Sequence, residues 1–280
     1  MSSPFYSKQV VTFTARVFIE ATEFADVLMT AGLPVAQGAE TPTELSNVTD
    51  STCGQAWTTT FYMELLDEAP AEPAFVPPGS SEGLPFPNLS DPAIWHYSWS
   101  WRRSFCAGNT SLDAVNVGDI TQQNYGNDLD SGYAFLDIKS AQAQKPWKGG
   151  LNITVLQMLE NRSYGYFHAM VNSAPDPTWK TRLVLNYTTS GTLHGLSKMP
   201  YLRDSRRAIG LDGYRLSYPF LDFFNATGDC RVSFLFEDAI ALGEYNDDTH
   251  ILHTCELPSY IINHTTKPYW LPFRALTVAG

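Results

Sequence analysis

Eight Asn-x-Ser/Thr sequons mark this 280-residue chain, at Asn47, Asn88, Asn109, Asn152, Asn161, Asn186, Asn225 and Asn263. Only about two are expected by chance at ordinary Ser/Thr frequency. A glycan needs water around it, so every sequon that is used must be placed on the surface. Asn186 and Asn225, if glycosylated, are therefore expected to face solvent, leaving the 194–207 and 244–253 blocks as the better candidates for a buried pocket. The count also suggests a chain shaped for a glycosylating secretory pathway. No secretory signal accompanies it. Met1 to Gln9 are largely polar, and Val10-Val11-Thr12-Phe13-Thr14 alternates like a strand instead of forming an apolar signal core. The expectation is an interior piece of a longer secreted, extracellular glycoprotein.

The length allows one large domain or two small ones. An apolar fraction of 44% with 17% charged residues belongs to a chain that folds around a core. Aromatics reach 13%, which serves core packing first and a stacking surface second. A net charge of −11 argues against nucleic acid and against anionic membrane surfaces as partners. No stretch is long and apolar enough to span a membrane. The cysteines, Cys53, Cys106, Cys230 and Cys255, include no C-x-x-C pair, so a zinc ribbon is not indicated and no metal is expected. They leave open two disulfides, in three connectivities, or four free thiols.

Residues 8–23 have the β-branched and aromatic character of strands, with Arg16-Val17-Phe18-Ile19 as a buried one. Phe24, Val27, Leu28 and Ala31 then have helical spacing, with Gly32 as C-cap. Residues 53–66 form a long strand signal. Residues 67–94 are a Pro-, Gly-, Ser- and acid-rich loop, long enough to suggest a functional or variable surface feature. Trp95 to Phe105 is aromatic and strand-like, and 107–150 is irregular, with Asn124 to Asp128 as a polar turn. Helices are expected over 153–172 and, interrupted near Pro200, over 193–208. Strand-like alternation fills much of 209–260. This mixed order indicates an α/β to α+β fold.

Three blocks carry candidate chemistry. The first is Ile19-Glu20-Ala21-Thr22-Glu23 with Asp26 and Ala31-Gly32. There a strand ends in a turn of small residues that opens a helix, where backbone can approach an anionic ligand; an ordinary strand-to-helix turn has the same look. The second is His194 to Arg207, with Lys198, Arg203, Arg206 and Arg207 in an acidic protein. On a helix Arg203 and Arg207 would face the same way. Such a cluster meets an anion, or else internal salt bridges with Asp204 and distant acids. The third is Gly243 to His253, where Asp248 with His250, or His250 with His253, could form an acid/base pair. A structural histidine satisfied by its surroundings is the competing reading. No G-x-S-x-G, P-loop, H-E-x-x-H or G-x-G-x-x-G is present.

In this order the three blocks resemble the FAD-dependent oxidoreductases that insert a substrate domain into a glutathione-reductase-type flavin fold. The carrying residues are Ile19-Glu20-Ala21-Thr22-Glu23, Asp26 and Ala31-Gly32. Pro200, Tyr201, Arg203, Asp204, Arg206 and Arg207 follow, then Asp248, His250 and Leu257-Pro258-Ser259-Tyr260, and finally Leu271 to Leu276. The resemblance covers most of residues 14–276 and departs at Glu23, where the family often has Gly. It implies an incomplete FAD/NAD(P)-binding-type fold: flavin-domain residues 1–45, a strand-rich inserted substrate domain over 46–260 and a return segment over 261–280. It implies FAD as cofactor and a small-molecule substrate exchanging a hydride with flavin N5. Arg203 and Arg207 would anchor an anion or the flavin side. His250 would be the acid/base, oriented by Asp248, and Ala21, Thr22 and Glu23 would meet the cofactor. The competing expectation is a non-catalytic secreted glycoprotein or binding module that keeps the fold and lacks the cofactor motif.

Overall fold

The computed structural model describes residues 10–22, 24–36, 39–40, 48–50, 54–131, 152–204, 206–216, 236–243, 250, 252–253 and 269–278. In chain order the elements are α1 (Asp26–Ala31), β1 (Val35–Ala36), β2 (Ala39–Glu40), β3 (Val48–Asp50), β4 (Gly54–Gln55), β5 (Phe61–Leu65), α2 (Pro92–Ser100), β6 (Arg103–Phe105), β7 (Ile120–Gln123), α3 (Ile153–Asn172), β8 (Leu183–Leu185), α4 (Tyr187–Ser190), β9 (Arg207–Ala208), β10 (Ala239–Gly243), β11 (Leu252–His253) and β12 (Tyr269–Pro272). Helices and strands mix along the chain as expected. All strand pairs among the described residues are antiparallel.

The centre is a four-stranded sheet in the order β6-β7-β5-β8. Along β5, Phe61, Met63 and Leu65 are buried and Tyr62 and Glu64 are half-buried, the period of two that a sheet with one core face requires. The core face meets α2 and α3. On α3, Leu159, Tyr166, Phe167 and Met170 recur on one face and are buried. Asn152 caps this helix by accepting from the Thr154 and Val155 amides. Trp95 and Trp99, four residues apart on α2, stack with ring centroids 5.5 Å apart, and Trp95 Nε1 donates to the Met170 carbonyl. A second, smaller core joins Phe24, Trp57, Leu129, Val155 and Leu159.

The strand signal over 53–66 is realised as two strands, β4 and β5, with isolated bridges at Trp57 and Thr58 between them, and the expectation holds for the helix over 153–172 and for the Gly32 C-cap at φ 74. Of the loop expected over 67–94, residues 67–91 contain no helix or strand and α2 begins at Pro92; the loop is tied down. Ser80 donates to the Asn161 carbonyl, and a Cβ on either Gly79 or Gly165 would overlap the other strand of backbone. The glycine within α3 is there because the loop crosses it in direct contact.

Four expectations are corrected. The aromatic run from Trp95 begins as helix, because Asp91 accepts from the Ala93 amide as N-cap and Pro92 stands at the first helical position. Residues 107–150 were expected to be irregular, but Ile120–Gln123 forms β7. Residues 193–208 are not a helix. Helix α4 stops at Gly191, the chain passes through bridges at Leu196 and Tyr201, and Arg207 lies in β9 opposite Ala36. Arg203 and Arg207 therefore share no helix face. Residues 10–20 carry no strand, and Val10, Phe13, Val17, Phe18 and Ile19 are 70% to 98% exposed.

Cys106 holds a free thiol, so the pairing of all four cysteines is not what forms; the other three lie outside the described residues. Asn88, Asn109 and Asn161 are exposed. Asn186 is not: it is 9% exposed, its Nδ2 donates to Glu64 Oε2 at 2.7 Å, and its Oδ1 accepts from the Thr189 amide. That sequon serves as a helix cap. Asn47, Asn225 and Asn263 lie outside the described residues.

Candidate functional site

Three ionisable side chains from distant parts of the chain meet under the second core. His250 Nδ1 lies 2.6 Å from Asp128 Oδ2. Arg203 Nη2 lies 2.9 Å from Asp128 Oδ1 as an ion pair, while its guanidinium donates to the carbonyls of Ala56 and Asn124, each at 2.8 Å. The side chains of His250 and Arg203 are each 5% exposed and that of Asp128 is 12% exposed. A carboxylate flanked by a guanidinium and an imidazole balances charge that would be costly to bury alone.

Each member is positioned by its segment. Asp128 closes the turn after β7, where its amide donates to the Tyr125 carbonyl, and the next residue pairs with Trp57. Arg203 follows the Tyr201 bridge to Thr58, which fixes it beside Ala56. The His250 amide donates to Gln55 Oε1 at 2.8 Å, and Gln55 in turn donates from its backbone amide and Nε2 to Asp204. The Tyr125 ring stands edge-on to the imidazole, centroids 5.0 Å apart. An aspartate on one imidazole nitrogen fixes the ring orientation and stabilises the imidazolium, the arrangement that lets a histidine hold and release a proton.

Tyr125 also lines a cleft with about 320 Å³ of empty space, counted out into open solvent. Its other walls include Tyr97, Trp101, Arg102, Asn124 and Tyr166. Tyr125 thus stands between the buried dyad and the cleft. Burial raises the Tyr166 phenol to about 12, with Ser98 opposing.

The expected site residues fall in different places. His250 and Arg203 come together, on Asp128. Asp248 and Glu23 lie outside the described residues, and of Arg207 only the backbone is described. The acid seen against His250 is Asp128, 122 positions away. Ala21 and Thr22 are exposed. The Thr22 hydroxyl accepts from the Asp26 amide at 2.8 Å and also bonds Glu20 Oε1, so it serves the turn itself. Within that turn Ala25 takes φ 54, a left-handed conformation unusual for alanine. Arg206, grouped with the cluster in the sequence, is buried and donates to the Phe24 carbonyl at 3.0 Å, tying the turn down.

Asp128, Tyr125, Gln55 and the cleft residues were missed as site residues. The one available signal was the run Asn124 to Asp128, five turn-forming or aromatic residues directly after a strand, where functional side chains often sit. Among the described residues no group of three or more His, Cys, Asp or Glu is placed to hold a metal. No helix among them is long and apolar enough to cross a membrane. A dinucleotide cradle is built from a glycine turn between a parallel strand and a helix. The sequence has no such glycine pattern, and the described strands pair antiparallel.

Compared with known proteins, the chain matches one family, described as FAD dependent oxidoreductase, over residues 5–280. No curated protein and no solved structure matches it.

Proposed function

The chain belongs to the FAD dependent oxidoreductase family, and from that membership we propose that it acts on a small organic substrate by hydride exchange with the flavin, with His250 and Asp128 managing the proton. FAD is the cofactor of that family. The described residues do not form a pyrophosphate cradle, so no step is derived through the flavin. What the chain's own side chains offer is on the substrate side. The observation that carries the reading is the 2.6 Å contact between His250 Nδ1 and Asp128 Oδ2, behind a ring that lines the cleft.

In this reading His250 takes or returns the proton that leaves a substrate hydroxyl or amine. Asp128 keeps the imidazole oriented and compensates its charge, and Arg203 pairs with the other Asp128 oxygen and holds the carboxylate in place. Tyr125 would have to tilt for a substrate to reach the imidazole. Asp248, Arg207 and the 19–23 turn stay in the proposal as further candidates for the same site. So does the division into flavin-domain residues 1–45, an inserted domain over 46–260 and a return segment over 261–280. Secretion and N-glycosylation form part of it as well, supported by the exposed sequons at Asn88, Asn109 and Asn161.

The test is direct. Purified protein should be yellow, or turn yellow on adding FAD, and should reduce an artificial electron acceptor in the presence of a substrate found by screening. His250→Gln and Asp128→Asn should lower that rate by about 100-fold, the usual worth of a general acid/base. They should also change the shape of its pH profile, with flavin content unchanged. Protein that stays colourless with added FAD would sink the flavin reading. Wild-type rates and an unchanged pH profile in His250→Gln would sink the assigned dyad.

A further inference from the structure

The cleft beside Tyr125 has a chemistry of its own. Tyr97 and Trp101 sit one turn apart at the end of α2, their ring centroids 5.3 Å apart and their planes inclined by 31°. Both remain largely open to water, at 50% and 58% exposure, and Tyr125 opposite them is 63% exposed. Exposing three large rings around one concavity is unfavourable unless something covers them. Next to Trp101 lies Arg102, also a cleft residue, whose guanidinium has no ion-pair or hydrogen-bond partner among the described residues. It is an unpaired cation in a chain of net charge −11, and none of the cleft walls is a carboxylate.

We propose that this cleft is a binding site for a small organic anion with a ring. The ring lies on the Tyr97–Trp101 shelf under Tyr125, and its carboxylate or phosphate meets Arg102. The inference rests on the flavin reading only where it calls this anion the substrate; as a binding site it stands separately. An aryl carboxylate and a sugar acid share this chemistry. A bare inorganic anion lacks the ring that the shelf would cover, and a neutral apolar ligand leaves Arg102 unused.

The experiment measures binding without turnover. Benzoate and glucuronate, with benzyl alcohol and methyl glucoside as their neutral partners, are titrated into the full chain by calorimetry, and ring contacts are followed by saturation-transfer NMR. At least one anion should bind more tightly than its neutral partner; which one identifies the aryl or the sugar source. Arg102→Gln should weaken the anion by about tenfold and leave the neutral partner unchanged, consistent with loss of one charge-assisted hydrogen bond. Trp101→Ala should weaken both, with Trp101→Phe restoring part of the loss, and circular dichroism confirms that each variant folds. The proposal is overturned if neither anion exceeds its neutral partner, or if Arg102→Gln leaves anion affinity intact. A colourless protein that still binds the anion would remove the flavin reading and keep this site.

Discussion

Replacing Arg162 by Met tests how the long 67–91 loop is held, and the structure gives the size of the effect. Arg162 is 1% exposed in the middle of α3. Its Nε donates to the Asp128 carbonyl at 2.5 Å, and Nη1 and Nη2 donate to the carbonyls of Ser81, Glu82 and Leu84. Its guanidinium carbon lies 4.3 Å from the centre of the Phe86 ring. Burial lowers its pKa from the ordinary value, opposed by attraction to Asp128. Methionine fills similar volume and removes every donor. The Asp128 carbonyl is buried and would be stranded, at about 2 kcal/mol. Ser81 and Glu82 are exposed and would find water again, so the three loop carbonyls together count for about 1.5 kcal/mol. The Phe86 contact adds about 1 kcal/mol. Removing a charge from a buried position returns about 1 to 1.5 kcal/mol. The net loss is about 3 kcal/mol. With a urea slope of about 3 kcal/mol/M for a chain of this size, the midpoint should fall by about 1 M.

Two further readings separate this mechanism from a general loss of packing. Limited proteolysis of Arg162→Met should cut first within 67–91, the segment that the guanidinium ties to α3. Arg162→Lys should recover less than half of the loss, because a single ammonium cannot serve carbonyls on two sides at once. A midpoint shift below about 0.3 M, or full recovery by lysine, would refute the reasoning.

Other consequences can be measured with the same means. Gly165→Ala should destabilise by about 1–3 kcal/mol, although helix propensity alone predicts a gain of about 1, because the new methyl meets the Ser80 backbone; a stabilised variant in a melting curve would contradict it. For Asp119, burial would raise the carboxyl pKa, but donors from Asn116, Ala107 and Arg103 outweigh it and hold it below the ordinary 3.8. A depressed carboxylate stabilises the fold above about pH 4 and loses that contribution as pH falls through its folded value. Asp119→Asn should therefore be less stable at pH 7 and show a flatter acid limb, and identical acid limbs would count against it. Tyr164 and Tyr166 are both pushed up to about 12 by burial. Their raised values stabilise the fold in full below pH 10, and that contribution declines as pH rises from 10 towards 12. Tyr166→Phe should flatten the alkaline limb, which pH-dependent urea midpoints would reveal. In protein secreted from a glycosylating host, peptide mapping should find glycan at Asn88, Asn109 or Asn161 and none at Asn186; a glycan at Asn186 would contradict its role as a cap bonded to Glu64.

The sequence by itself determined the elements whose cause is local. Apolar residues at helical spacing mark α3, Gly32 ends α1, and the strand signal over 53–66 contains β4 and β5. Local signals also misled where two were in conflict. The aromatic run at 95–105 favours strand by composition, and Asp91-Pro92 starts a helix there all the same. At 193–208 the charge spacing suits a helix, yet Leu196 and Tyr201 are taken by bridges to β5 and Thr58. Residues 10–20 have strand composition, but a strand is defined by its partner and none of the described residues provides one. The site was legible in part: His250 and Arg203 were recognisable from residue type and neighbourhood. Only the tertiary structure decided that they share Asp128, 122 positions from the one and 203 − 128 = 75 from the other. An ion pair depends on distance in space, and no spacing along the chain encodes which distant carboxylate the fold will deliver. The same holds for the sequons. Eight were visible in the sequence, but the bond from Asn186 to Glu64, 122 positions away, is what turns one of them inward.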